Sequence, residues 1–306
     1  MIQFSASQFL VWFPLLAVWG IGLTWAAEAP QPGAVDAETL VPVPESLVKD
    51  IPPPRTRAEV EAVLKGADEK AETRPIHVVL VAGLKDHGPG EHDYPAWQKA
   101  WAKLLARAEK TRVTTAWEKP SPEDFKSADV MVLFRHLAWA KELNQDFDAY
   151  FARGGGLVVV HFAVDAGNNP QAVEQHIGPY WGGGAKFRHG MVDLAFDAGA
   201  KHPIVRGFAG KTVRFHDETY WRLTGDPSRI EVLASAEEQG EPKPIPLLWS
   251  RETAKGRVHV NILGHYNWTF NDPLFRVLLL RAIAWAAREL VDRFNGLVTL
   301  GIPLKD

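Results

Sequence analysis

The chain has 306 residues, 46% hydrophobic and 23% charged, with a formal charge of −3. That is material for one or two packed domains, and no basic stripe marks a nucleic-acid binder. It contains no cysteine, which excludes disulfides, thiolate zinc sites, thiol catalysis and a lipid-modified N-terminal cysteine.

No charged residue precedes Glu28, and Phe9 to Leu23 is almost wholly apolar, followed by the small residues Ala26 and Ala27. Residues 1–26 read as a secretory signal cleaved after Ala26, giving an exported product, periplasmic or extracellular. The leading segment lacks Lys and Arg and Pro14 interrupts the run, so the competing reading is an uncleaved membrane tether, although the run is short for a full span. Residues 27–73 hold Pro30, Pro32, Pro42, Pro44 and the triplet Pro52 to Pro54. Proline removes donors and disfavours regular elements, so this reads as a semi-extended linker. Only Arg57 to Ala71 has helix-forming composition, with Val60, Val63 and Leu64 on one face. It would pack on the main domain or space it from a membrane.

The main domain spans 74–290. Ile76 to Ala82 is a continuous β-branched run of the kind buried on both faces. Tyr94 to Ala108 follows as a helix, with Trp97, Trp101, Leu104 and Leu105 on one side. Arg112 to Trp117 is the second strand. Ser121 and Pro122 open a helical turn. Val130 to Phe134 is the third strand. Leu143 to Phe151 is helical and stops at Gly154, Gly155 and Gly156, and Leu157 to His161 is the fourth strand. This alternation means a mostly parallel sheet with helices on both faces. Met191 to Phe196, Ile230 to Ser235, Pro246 to Ser250 and Val258 to Leu263 are strand-like without long helices between them, so added antiparallel strands are expected. Asp272 to Leu290 closes the domain as a helix, and 291–306 is read as a C-terminal tail.

In such sheets ligands bind beyond the carboxyl ends of the strands. The first strand runs into a loop containing His87 and His92. It carries neither GxGxxG nor a Walker pattern, so no nucleotide cofactor is expected. The third strand ends at His136. The fourth ends at His161, with Asp165 just beyond. A histidine at the end of a central strand is poor core filler, and three such endings together favour a site. Further along come Trp181, His189, the run His216-Asp217-Glu218-Thr219-Tyr220-Trp221, and His265-Tyr266-Asn267-Trp268 after the last strand. Aromatic faces beside hydrogen-bonding groups suit a sugar. Trp181, Trp221 and Trp268 are the better ligand candidates, because Trp97, Trp101 and Trp285 lie on helix faces. His77, His176, His202 and His259 read as structural.

Four separated segments resemble the trehalose-utilisation, or ThuA-like, family. They are Gly154 to His161, His216 to Tyr220, Gly256-Arg257-Val258 through Gly264-His265, and Asn271 to Arg276 through Trp285-Ala286-Ala287. The resemblance runs from about Ile76 to Ala287. It implies a class I glutamine amidotransferase-like fold, a flavodoxin-like three-layer αβα sandwich, and a role in the use of trehalose-like disaccharides. In amidotransferases a nucleophilic cysteine sits at a sharp elbow after a strand, and a histidine at the end of a later strand activates it. Here His161 resembles the elbow position and His265 the activating one. Imidazole is a poor acyl acceptor but a good acid, base or metal ligand. Glutaminase activity should therefore be absent.

The expected site has His161, His265, Glu218, Asp217 and Asp165 as reacting groups, or as partners that hold the reacting groups in place. His87, His92, His136, Trp181, His189, Trp221, Tyr266 and Trp268 would contact substrate. The expected function is acid/base or metal-assisted chemistry on a small-molecule carbohydrate, a trehalose-like disaccharide or keto-sugar. The metal would be a divalent ion such as zinc, should three histidines converge. The alternative is a carbohydrate-binding module without turnover. The two differ in geometry: an enzyme needs His161, His265 and a carboxylate within reach of one point, whereas a binder needs only a stacking platform.

Overall fold

The computed structural model describes Met1, residues 37–67 and residues 72–306. Apart from Met1, the expected secretory signal lies outside the described residues. Among the described residues, nine strands form one sheet in the order β2-β1-β3-β4-β9-β8-β7-β5-β6. The first five, β2 (Thr111–Trp117), β1 (Ile76–Ala82), β3 (Val130–Leu133), β4 (Gly156–Val160) and β9 (Gly256–Asn261), pair in parallel. β1, β3 and β4 are buried at every residue, as unbroken Val/Leu/Ile runs require when both faces are covered. From β9 outward the pairing turns antiparallel through β8 (Ile245–Thr253), β7 (Glu231–Ala236), β5 (Lys186–Ala195) and β6 (Thr212–Trp221).

The helices complete a three-layer α/β sandwich. α2 (Tyr94–Leu105) packs on β1 and β2, while α6 (Pro273–Ala286) packs on β3, β4 and β9. Phe270 bridges that layer, touching Trp97, Trp101 and Phe275. α4 (Asn144–Ala152) and α5 (Pro170–Ile177) pack on β9, and α3 (Pro122–Ser127) packs on α4. Asp93 caps α2 by accepting from the Ala96 amide, and Asp272 caps α6 through the Leu274 and Phe275 amides. Every residue of α6 is buried, so something must also cover its outer side. The segments flanking the domain do so. α1 (Arg57–Leu64), opened by a capping box between Thr56 and Glu59, buries Val60 and Val63 and touches α6. The fully buried Arg276 donates to the carbonyls of Thr39 and Leu300, and Arg281 to that of Val63. Residues 37–67 and the chain after 290 are thus tied to the domain by buried guanidinium groups that donate to their carbonyls. No helix among the described residues is long and apolar enough to cross a membrane.

Two elements fall outside the expected set. α5 is short and opens on Pro170, with Asn169 before it. β6 carries Asp217 and Glu218 in its interior, residues depleted from strands, and its alternation shows only in its first half. β5 also starts five residues earlier than the apolar run suggested. Its ten-residue pairing with β6 sets His189 directly opposite Glu218.

Candidate active site

His161 is the first residue after β4, and its φ is 52°. A non-glycine residue there is strained by about 1–3 kcal/mol. After this elbow its ring is fully buried at the carboxyl end of β4, where Nδ1 lies 2.6 Å from the Ile262 carbonyl oxygen. That oxygen only accepts, so Nδ1 carries the proton and Nε2 presents its lone pair. His265 follows β9 by way of Gly264, whose φ of 130° needs glycine and whose added Cβ would lie 3.0 Å from Val160 Cγ1. This close turn brings His265 Nδ1 to 3.3 Å from His161 Nε2.

Two further side chains converge there. Glu218 Oε2, from β6, lies 3.1 Å from His161 Nε2 and 2.9 Å from His265 Nδ1. His92 Nε2, from the loop after β1, lies 2.8 Å from His161 Nε2. His92, His161, Glu218 and His265 are all buried, and each can place one ligand atom within 4.8 Å of the others. The Tyr220 hydroxyl, also 2.8 Å from His161 Nε2, completes the contact shell.

Each member is held from behind. Asp86 Oδ1 lies 2.7 Å from His92 Nδ1, 2.9 Å from His87 Nδ1 and 3.2 Å from the Tyr94 hydroxyl. His136 then bridges two carboxylates, with Nε2 3.0 Å from Asp165 and Nδ1 3.4 Å from Asp86. Asp165 therefore meets the centre only through His136. Asp217 is fully buried and faces away from the ring nitrogens. It accepts from the amides of Glu218, Gly264 and His265 and from the Thr269 hydroxyl. With its lone pairs engaged, Asp217 is a brace for the His265 turn rather than a base.

The charge states follow from burial and these partners. Burial pushes His92 down to about 3 and also lowers His265. Burial would raise Glu218, but the His161 and His265 imidazoles beside it outweigh burial and hold the carboxylate ionised. Asp86 is held low in the same way by three histidines, again against burial. His136 goes the other way: its bonds to Asp165 and Asp86 hold it protonated up to about 9. Neutral His92 and His265 and an ionised Glu218 thus sit beside the cationic imidazole of His136.

The remaining expected residues divide by exposure. His87, His136 and His189 are each between a third and a half exposed at the side chain and ring the buried centre. His189 holds Tyr266 through Nδ1 at 3.0 Å and approaches Glu218 Oε1 at 3.4 Å. Trp181 packs edge-on to Phe162 and against Tyr220, with the exposed Phe187 beside it. His92 belongs to the buried centre rather than to the ring around it. Trp221 is out of phase with Glu218 and Tyr220, so it leaves the sheet on the other face. Trp268 is buried, stacked on Tyr266 and His216, with its N–H on the His216 carbonyl. It lines a mostly apolar cavity of about 200 Å³ with Leu40, Ile51, Phe215 and Ile302, and none of the four clustered residues lines that cavity. Asp86, Glu91 and Tyr220 were missing from the expected set. Tyr220 stands two residues from Glu218, the spacing that shares one face of a strand, a relation that shows only once 212–221 is known to be a strand.

The ThuA family, described as trehalose utilisation, matches residues 78–286. Two solved structures have the same fold. A ThuA-like protein from Parabacteroides merdae is 23% identical with a TM-score of 0.57, over 71% of this chain and 92% of its own. A ThuA-like protein from Bacteroides uniformis is 21% identical with a TM-score of 0.56, over 72% of this chain and 95% of its own. No curated protein matches the chain.

Proposed function

We propose, since this chain belongs to the trehalose-utilisation (ThuA) family, that it is an exported enzyme acting on a trehalose-like disaccharide or keto-sugar at the centre around His161. One observation carries the proposal: His92, His161, Glu218 and His265 converge from four separate segments onto a single buried point. Assembling three imidazoles and a carboxylate without water costs stability, and a binding platform would not need it. Neutral imidazoles beside an ionised carboxylate offer bases for proton transfer next to a carbonyl or glycosidic oxygen. His189 and Tyr220 lie at the edge of the centre, placed to exchange protons with a bound hydroxyl. Trp181 and Phe187 offer faces for sugar C–H groups. Glutaminase chemistry is not part of the proposal, because the elbow holds an imidazole.

The test is turnover. Purified protein is incubated with trehalose and with a disaccharide oxidised to a ketone, and products are followed by NMR. Conversion by the wild type, lost in Glu218→Gln, is the expected result. Sugar binding without conversion would leave a carbohydrate-binding module, and release of ammonia from glutamine would overturn the reading of the elbow. Export is tested by sequencing the N-terminus of the mature protein, which should begin at Ala27.

A further inference from the structure

We propose that His92, His161, Glu218 and His265 form a binding site for one divalent transition-metal ion of the zinc class. The proposal rests on where protons can and cannot be. His161 Nδ1 gives its proton to the Ile262 carbonyl and His92 Nδ1 gives its own to the Asp86 carboxylate. Both Nε2 atoms are then lone pairs, yet they face each other at 2.8 Å. Glu218 Oε2, a third acceptor, stands 3.1 Å from His161 Nε2. Only the Tyr220 hydroxyl and one His265 N–H are available to separate three acceptors. A cation at their common focus turns this repulsion into coordination.

His265 points the same way. Without an ion, its Nδ1 must donate to Glu218, which leaves Nε2 a bare acceptor. That atom is buried with no hydrogen-bond partner, and the nearest charged oxygen, Glu91 Oε1 at 3.9 Å, is also an acceptor. With an ion on Nδ1 the proton moves to Nε2 and faces Glu91 as a donor. A carboxylate or carbonyl behind each metal-bound imidazole is the usual support for such ligands. Here Asp86 stands behind His92, the Ile262 carbonyl behind His161 and Glu91 behind His265.

Size agrees. Metal–ligand distances of about 2.0–2.1 Å give a tetrahedron with edges of about 3.3 Å. Four of the six separations among the ligand atoms run 2.8, 2.9, 3.1 and 3.3 Å, and all six lie within 4.8 Å. Loading widens those four edges by only a few tenths of an ångström. Three nitrogens and one carboxylate oxygen suit zinc, cobalt, manganese or iron rather than magnesium or calcium, which prefer oxygen. The site does not depend on the carbohydrate reading: an ion bound in a protein that converts no sugar would sink that reading and leave this one.

The full chain, stripped with a chelator, is titrated with Zn²⁺ and Co²⁺ and analysed for bound metal after dialysis. The expected result is one ion per chain, a cobalt spectrum carrying imidazole ligation, and a higher melting temperature with metal. Asp86→Asn should weaken affinity about 10–100-fold while the fold persists, and His161→Ala should abolish retention. His176→Ala, remote from the centre, should retain the ion. A folded wild type that keeps no Zn²⁺ or Co²⁺ and shows no thermal shift would overturn the proposal, as would full retention in a folded His161→Ala protein. Should that variant fail to fold, the wild-type cobalt spectrum decides: bands without imidazole ligation reject the site.

Discussion

At the carboxyl ends of the parallel strands, His161 and His265 are buried with ring nitrogens aimed at each other and at a carboxylate. Toward the amino ends, His77 and His259 are buried too, but their rings meet hydroxyls: His77 meets Thr114 and Ser127, and His259 meets Ser250. A hydroxyl can donate or accept, so the ring nitrogen it faces is satisfied in either tautomer. Burial is therefore no mark of function, and neither is an unpartnered ring nitrogen, since His259 Nε2 is also one. The distinguishing feature is a set of acceptors gathered without enough protons between them.

The largest effect should come from Glu218→Gln, which keeps volume but removes the charge shared by His161 and His265. Turnover should fall by about 10²–10⁴-fold, with the thermal midpoint little changed. His259→Leu should leave turnover intact. Equal loss in both variants would erase the distinction between the two ends. Asp217→Ala comes next. It strands the buried Gly264 and His265 amides and the Thr269 hydroxyl, at about 1–3 kcal/mol each. Denaturant melts should show a loss of about 3 kcal/mol or more, and the His265 turn should loosen with it. Unchanged stability would mean that Asp217 does not brace the turn.

The same division governs what the sequence discloses. β1, β3 and β4 were legible because strands buried on both faces are continuous apolar runs, and their ends announced His136 and His161 by contrast. β9 carried His265 in the same way. The antiparallel half was harder. Glu218 and Tyr220 project from the interior of β6, where two carboxylates break the strand pattern, so the run could be seen as chemistry but not as structure. His92 looked like a loop residue beside His87. Only the folded loop separates them: both residues are left-handed, with φ of 64° at His87 and 42° at His92, yet His92 is buried and His87 stays at the surface. Trp221 and Trp268 show the limit of composition. An indole near polar residues suggests a sugar platform, but strand phase directs one away and stacking buries the other.

The smallest effect separates the two ends through pH. Burial lowers His259 to about 3 and His202 to about 4. An unfolded histidine binds a proton below about 6.5, whereas these folded ones do not until far lower pH. The unfolded state then holds more protons, so stability rises with pH and is lost as pH falls below about 6.5. Carboxylates enter only below about 4.5, so the interval between belongs to histidines. His136 has the opposite sign. Held up to about 9 by Asp165 and Asp86, it stabilises fully below about 6.5 and ceases to do so as pH rises through 9. Denaturant melts at pH 6.5, 5.5 and 4.5 should show a shallower acid slope in His259→Leu, by up to about 1.4 kcal/mol per pH unit. Asp165→Asn should leave that slope alone and flatten the alkaline one. An acid slope unchanged by His259→Leu would mean that this histidine already binds its proton in the fold, and the amino end would then no longer be the neutral counterpart of the site.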